Sequence, residues 1–251
     1  MKKWFSILLL FSLFQTSIFA NWMPYFNMSD SKPIPEQENQ IQMKDEHIRI
    51  FLLHDKYEMK ISYTFFNHGK DKQIKMVFPM YTSLGVLQNG MPEDEVIDYF
   101  RKRLTVFVNG HVVNCNFARM NEGESPKVFV GATLTMKFKA NQKLNMQVIY
   151  DGEYNKTPAD ASVEIDSKTL QIERQIGYLY GTASYWHKNI ENFQISLSKI
   201  DPSFSSFNFQ YEGNKSFEFT KKNPNLNLKS FKPKSSKEEF TLFLSQIFKS
   251  K

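Results

Sequence analysis

Apolar side chains fall at every second position through most of the chain after Ile41. Ile48, Ile50 and Leu52 mark one run, His54-Asp55-Lys56 breaks it, and Tyr57, Met59, Ile61, Tyr63 and Phe65 then alternate with Glu58, Lys60, Ser62 and Thr64. Successive side chains of a strand point to opposite faces, so each run predicts a strand with one buried and one wet face. Asn67 to Asp71 predicts a turn, and Gln73 to Phe78 a returning strand ended by Pro79. Together these three strands predict an antiparallel meander.

One segment breaks the two-residue period. Pro92 precedes Glu93, Asp94 and Glu95; Val96, Ile97 and Phe100 share a helical face; Arg101, Lys102 and Arg103 follow. Acid at the start and base at the end complement a helix dipole, so the acidic cluster reads as helix capping rather than a calcium loop. Thr105 to Val108 and His111 to Val113 flank Asn109-Gly110, a strong hairpin signal. Further alternation appears at Leu134, Met136 and Phe138, and at Leu144, Met146, Val148 and Tyr150. Leu170, Ile172, Ile176, Tyr178 and Tyr180 share one parity that Arg174 breaks. Phe207, Phe209 and Tyr211 face Phe217 and Phe219 across a short turn. Phe240, Phe243, Leu244, Ile247 and Phe248 fit a helix, with Ser235 and Glu238 as a capping box; Phe240, Leu242 and Leu244 fit a strand equally well.

The pattern predicts a mainly β fold of antiparallel, β-sandwich-like sheets with one short helix. The polar stretch Asp151 to Asp160 predicts a boundary, dividing the chain into 21–153 and 154–251; one composite domain over 38–245 is the alternative.

The N-terminus changes the picture. Met1-Lys2-Lys3, an apolar run from Trp4 to Phe14 and a small residue at Ala20 follow the plan of a cleavable signal peptide over 1–20, with the mature chain starting at Asn21. The expected location is extracytoplasmic, periplasmic or secreted, with no transmembrane span beyond the signal and no nucleic-acid partner. Short lysine-rich strands argue against an outer-membrane barrel.

The chain carries 32 Lys+Arg against 26 Asp+Glu, a net charge of +6. Eight Lys and two Glu lie between Lys221 and Lys251, so one terminal segment accounts for the excess. Lys229, Lys232, Lys234 and Lys237 are therefore candidates for contact with an anionic envelope surface; plain solvation is the simpler reading. A single cysteine excludes an internal disulfide and an all-cysteine metal site. Cys115 shares parity with Val113 and Phe117 and is expected to face a core. The five histidines lack metal-ligand spacing, no G-x-S-x-G elbow occurs and phosphate-cradling glycine loops are absent, so no catalytic residue, metal or cofactor is predicted. Tyr185 and Trp186 are candidates for contact through a loop, against a simpler role for Trp186 as a structural plug. The function expected is non-enzymatic binding or structure, with an envelope component or another exported protein as partner. The alternative is a secreted hydrolase whose site is assembled from distant residues.

Three stretches together resemble the exported bacterial proteins grouped as domain of unknown function 4424. They are Ile41-x-Met43-x-x-Glu46; Tyr63-x-Phe65-x-Asn67 with Val77-Phe78-Pro79; and Tyr178-x-Tyr180-Gly181-Thr182 with Trp186, Ile190, Phe193, Ile195 and Leu197. Phe231-Lys232-Pro233 also fits. Ser31-Lys32-Pro33 and Met80-Tyr81 depart from that pattern, where glycine and proline are usual. The resemblance implies an exported β-rich protein whose last element is a strand, and carries over no catalytic residue. The Phe-Pro ending after an aromatic strand is also similar to the domain of inter-alpha-trypsin inhibitor heavy chains, a second choice.

Overall fold

The computed structural model describes residues 23–24, 28–29, 32–33, 38–83, 92–120, 127–154, 162–166, 169–179, 181–211, 215–220, 222–234 and 239–249. Residues 1–20, Tyr180 and Lys237 lie outside them. In chain order the elements are three two-residue strands, β1 (Met23–Pro24), β2 (Met28–Ser29) and β3 (Lys32–Pro33), then β4 (Ile41–Leu52), β5 (Lys56–Asn67), β6 (Lys72–Ser83), α1 (Glu93–Arg101), β7 (Leu104–Val108), β8 (His111–Val113), β9 (Asn116–Met120), β10 (Lys127–Phe138) and β11 (Lys143–Glu153). The second half adds β12 (Ser162–Asp166), β13 (Thr169–Leu179), a 3-10 turn at Gly181–Tyr185, β14 (Ile190–Ser198), β15 (Phe204–Tyr211), β16 (Lys215–Glu218), β17 (Asn225–Phe231) and β18 (Glu239–Lys249). The protein is mainly β, with one α-helix among the described residues.

A seven-stranded sheet, β17-β14-β4-β5-β11-β7-β8, forms one layer. A four-stranded sheet (β1-β6-β10-β9) and a five-stranded sheet (β12-β13-β18-β15-β16) pack against its inner face. Phe78 of β6 meets Tyr150 of β11 edge-to-face at 6.1 Å, and Tyr178 of β13 meets Tyr63 of β5 through their hydroxyls. Alternation on β5 is complete from Tyr57 to Asn67, every second residue buried. Such interlayer packing of alternate residues is what a sandwich requires.

Two expectations need correction, the place of β6 and that of Leu170. β6 does not complete a meander with β4 and β5; it leaves for the four-stranded sheet and pairs with β10. Its run from Met76 to Met80 is buried at every position, so it cannot keep a wet face. Asn67 stands at the corner. Its buried side-chain amide donates to the carbonyls of Lys70 (2.8 Å) and Lys139 (3.0 Å), tying the β5–β6 turn to the β10–β11 turn. β14 inserts beside β4, in parallel, so the seven-stranded sheet draws on strands from both sides of residue 154. That pair runs parallel, and the other strand pairs among the described residues are antiparallel, as expected. The shared parity of Leu170 with Ile176 does not keep it inside, since Leu170 sits exposed near the start of β13, 36% accessible.

The Asn-Gly hairpin forms as read, with Asn109 at φ 48° and Gly110 at φ 84° and Val108 opposite His111. Only a residue without Cβ sits comfortably at the second angle. Phe209 pairs with Phe217 in the aromatic hairpin. The final element is a strand, β18, held between β13 and β15.

Candidate functional site

Buried polarity gathers first at the join between layers. A register shift between Met43 and Asp45 moves β4 from odd to even inward positions, so Ile41 and Met43 are buried and then Glu46, Ile48, Ile50 and Leu52. Glu46 thereby lands in the core, fully buried. Tyr178 donates its hydroxyl hydrogen to Glu46 Oε1 at 2.7 Å. That leaves Tyr63 to donate to the Tyr178 oxygen at 3.0 Å. Burial first, and then the Glu46 charge, hold both phenols well above their ordinary pKa. Stacking fixes the row from the sides: Tyr178 on Phe240 at 5.1 Å, and Tyr63 on Phe65 at 5.9 Å. Each group in it is satisfied within the protein, as buried polar atoms require.

Trp186 belongs to the same interior. It is 1% exposed and its ring lies 4.9 Å from Phe65. The expected ligand contact through Trp186 is therefore corrected to the plug role, because its indole is enclosed by the core. Tyr185 is half-buried, and its carbonyl accepts from the Glu38 amide at 2.7 Å. The Glu38 carboxylate in turn receives three backbone amides, from Asn39, Gln40 and Ile41, and the Lys72 ammonium at 2.9 Å. This knot seats the 181–187 turn against the start of β4.

One histidine meets a serine, and a second shares a carboxylate with another serine. His47 Nε2 lies 3.1 Å from Ser196 Oγ across the β4–β14 pair. Burial, with Arg49 nearby, lowers the His47 pKa, the opposite of what an orienting carboxylate does for a catalytic base. At the β4–β5 turn His54 Nδ1 sits 3.7 Å from Asp201 Oδ1, while Ser203 gives its hydroxyl hydrogen to that same carboxylate at 2.5 Å. The acid stands between serine and histidine instead of behind the histidine, so neither arrangement activates a nucleophile. Among the described residues no three of His, Cys, Asp and Glu converge as metal ligands, and no helix is long and apolar enough to cross a membrane. Cys115 is half-buried beside Val113 and Phe117, and burial pushes its thiol up to about 11.

The outer face of the seven-stranded sheet carries a different kind of polarity. Asn227, Gln194, His47, Ser62, Gln147, Phe107 and Val112 are register partners in turn, one from each strand. Around the middle of this row lies an open concavity of about 450 Å3 lined by Ser62, Thr64, Phe107, Gly110, Asn145 and Gln147. Tyr63 and Met146 also border it, but their side chains are buried and point to the core. The hairpin end forms one wall, braced where Asn109 exchanges hydrogen bonds with Asn145: amide to carbonyl at 2.8 Å, and Asn145 amide to Asn109 Oδ1 at 3.1 Å. Gln147 donates to Ser62 Oγ at 3.2 Å. Sequence reasoning missed this concavity, since its residues occupy the wet positions that alternation leaves undifferentiated.

Of the four lysines, Lys229 on edge strand β17 and Lys232 and Lys234 just after it are exposed. Lys229 is hydrogen-bonded to Asn192 Oδ1.

No family model matches the chain, and no curated protein matches it. Among solved structures it is similar to a provisionally named nutrient binding protein from Legionella pneumophila, with a TM-score of 0.54 and 14% identity over 92% of this chain and 72% of that one. An M1 zinc metallopeptidase from Deinococcus radiodurans aligns at a TM-score of 0.34 and 10% identity, and this chain spans 43% of it. The first likeness is one of fold.

Proposed function

We propose that the chain is an exported, non-enzymatic binding module, and that it recognises its ligand or partner on the outer face of the seven-stranded sheet. The open concavity around Ser62, Thr64, Phe107, Asn145 and Gln147 carries this reading. Pockets that bind small molecules pair an apolar surface with a few placed polar groups, and fall in the range of roughly 300–1,000 Å3. The fold is shared with a protein provisionally named for nutrient binding, which agrees with ligand capture without transferring its ligand. The competing hydrolase reading is disfavoured by the His47–Ser196 pair and by the His54–Asp201–Ser203 cluster, since neither has the order a triad needs.

Export rests on the three-part N-terminus, and membership in the domain of unknown function 4424 group on the quoted stretches. Glu46, Tyr63, Asn67, Tyr178 and Trp186 of those stretches are all buried, and the Glu46, Tyr63, Asn67 and Tyr178 side chains hydrogen-bond within the core. Such residues fit a scaffold signature rather than a shared active site.

Two measurements test the proposal. Protein recovered from outside the cytoplasm should begin at or near Asn21 by mass spectrometry; intact Met1 to Ala20 in that material overturns the signal assignment. A dialysable extract of the host envelope should move the side-chain amide NMR signals of Asn145 and Gln147. An extract that leaves both signals in place counts against this face as the binding surface.

A further inference from the structure

We infer that the concavity takes an uncharged, hydroxyl-rich ring, a neutral mono- or disaccharide, with Phe107 as its platform and Gln147 as its principal hydrogen-bonding group. This rests on the binding reading above and names the ligand class for that face.

The lining decides the class by elimination. It holds two hydroxyls, two carboxamides and one half-buried aromatic ring, with no ionisable side chain. Asp45 and His47 are the β4 register partners of Thr64 and Ser62, and Arg49 and Lys60 follow in the next row, so acid and base both stand beside the lining and neither sign prevails. A ligand of either sign would surrender hydration at the uncharged lining and would meet a like charge beside it as well as an opposite one. A purely apolar ligand would cover hydroxyls and amides and leave them unpaired, which costs about 1–3 kcal/mol for each buried group. A ligand with apolar C–H faces and a rim of hydroxyls avoids both penalties.

The groups are also placed for it. Gln147 spends one amide hydrogen on Ser62 Oγ, which orients the carboxamide and leaves its other hydrogen and its oxygen available. The Thr64 and Asn145 side chains make no hydrogen bond among the described residues. A carboxamide presents donor and acceptor side by side, matching two adjacent ring hydroxyls, each of which both gives and takes a hydrogen. The register Ser62–Gln147–Phe107 sets amide and ring on adjacent strands, about 5 Å apart, close to the width of a pyranose. Phe107 lies at the hairpin wall, where its ring offers an apolar face to the sugar's C–H groups.

The test is an NMR titration of the full chain with glucose, maltose, cellobiose and di-N-acetylchitobiose, and in parallel with glucuronate, lysine and phosphocholine. The expected result is saturable movement of the Asn145 and Gln147 side-chain amide signals with at least one neutral sugar. Phe107→Ala and Gln147→Leu should each weaken that binding tenfold or more while the melting curve stays that of the wild type. If Phe107→Ala proves unstable, Thr64→Val with Gln147→Leu gives the same reading. Movement with charged ligands alone, no movement with any sugar, or undiminished binding in the variants overturns the inference. If the envelope extract moves these signals and no neutral sugar does, the ligand class falls and the binding face stands; if neither moves them, both fall.

Discussion

The two faces of the seven-stranded sheet are built from the same strands and carry opposite kinds of polarity. On the inner face Glu46, Tyr178 and Tyr63 hydrogen-bond in a row enclosed by aromatic rings. On the outer face Ser62, Thr64, Asn145 and Gln147 surround a cavity, with only one side-chain bond among them. A buried polar group is retained when the protein itself satisfies it, so the inner row serves architecture. A half-exposed group with unspent donors and acceptors keeps its capacity for something else. Polarity alone does not mark a site here; unspent hydrogen-bonding capacity in a concave place does.

The sharpest way to break this comparison is to remove one aromatic ring from each side. Trp186→Ala should cost about 3–5 kcal/mol, because the indole is enclosed and its loss leaves a cavity. Phe107→Ala, at the half-buried outer wall, should stay within about 1 kcal/mol of wild type. Urea denaturation measures both. Comparable losses from the two variants would mean that Phe107 is a scaffold residue and would count against its place in a ligand site.

Tyr178→Phe is the next largest. It withdraws the hydrogen that Glu46 Oε1 receives from Tyr178 inside the core, an expected loss of about 2–3 kcal/mol for a buried bond to a charged group. It should also change the alkaline limb of the stability curve. The Tyr63, Tyr150 and Tyr178 phenols have pKa values raised by burial above the unfolded value near 10. The unfolded chain therefore loses those protons first, and the stability they contribute is complete below about pH 10 and is lost as pH rises from there toward the raised folded-state values. Melting temperatures between pH 9 and 11 should fall less steeply in Tyr178→Phe than in wild type. Equal slopes would remove the row from the protein's alkaline titration.

Much of the scaffold was legible because alternation reports burial directly. The Tyr57 to Phe65 run, the Asn109-Gly110 turn and the aromatic hairpin appear where their patterns placed them. The bulge near Lys44 was not read, although its trace is visible: inward parity changes between Met43 and Glu46, and Glu46 then shares the phase of Ile48 and Ile50. An acid in phase with two isoleucines announces a buried partner. Sheet exchange at β6 was hidden because strand patterning gives faces, not neighbours, and the parallel β4–β14 pair joins segments about 150 residues apart. The concavity depends on which wet positions lie side by side across strands, and register is set by tertiary pairing that one strand's sequence does not carry.

Cys115 tests where the boundary between enclosed and open surface falls, beyond the hairpin. Burial moves its thiol from 9.0 to about 11, and a shift of two pH units lowers the thiolate fraction near neutrality about a hundredfold. Native-state labelling by an alkylating reagent should be slower than labelling in urea by about that factor. Equal rates would make Cys115 an open thiol and move the edge of the core inward, away from Val113 and Phe117.

The smallest expected effect concerns the basic end of the chain. Lys229, Lys232 and Lys234 are exposed at and beyond the sheet edge, and Lys237 follows outside the described residues. Attraction of a lysine to an anionic surface is worth about 1 kcal/mol when it lies close to that surface. Lys229 is already hydrogen-bonded to Asn192, so engaging a head group means giving up or sharing that contact. Any binding by this segment should therefore be weak, and should fade as salt rises, because the Debye length is about 8 Å at 0.15 M. Sedimentation with anionic and with neutral vesicles, at low and at physiological salt, reads it out. Wild type should favour the anionic vesicles at low salt only, and a variant with all four lysines changed to Gln should lose the preference. The neutral-sugar titration should be unchanged in that variant, since Lys229, Lys232 and Lys234 do not line the concavity. If the lysine variant also loses sugar binding, the two surfaces are coupled and the contrast between a neutral face and a basic edge fails. If wild type partitions equally to both vesicle types, the lysines are solvated charge and the outer face stands as the binding surface by itself.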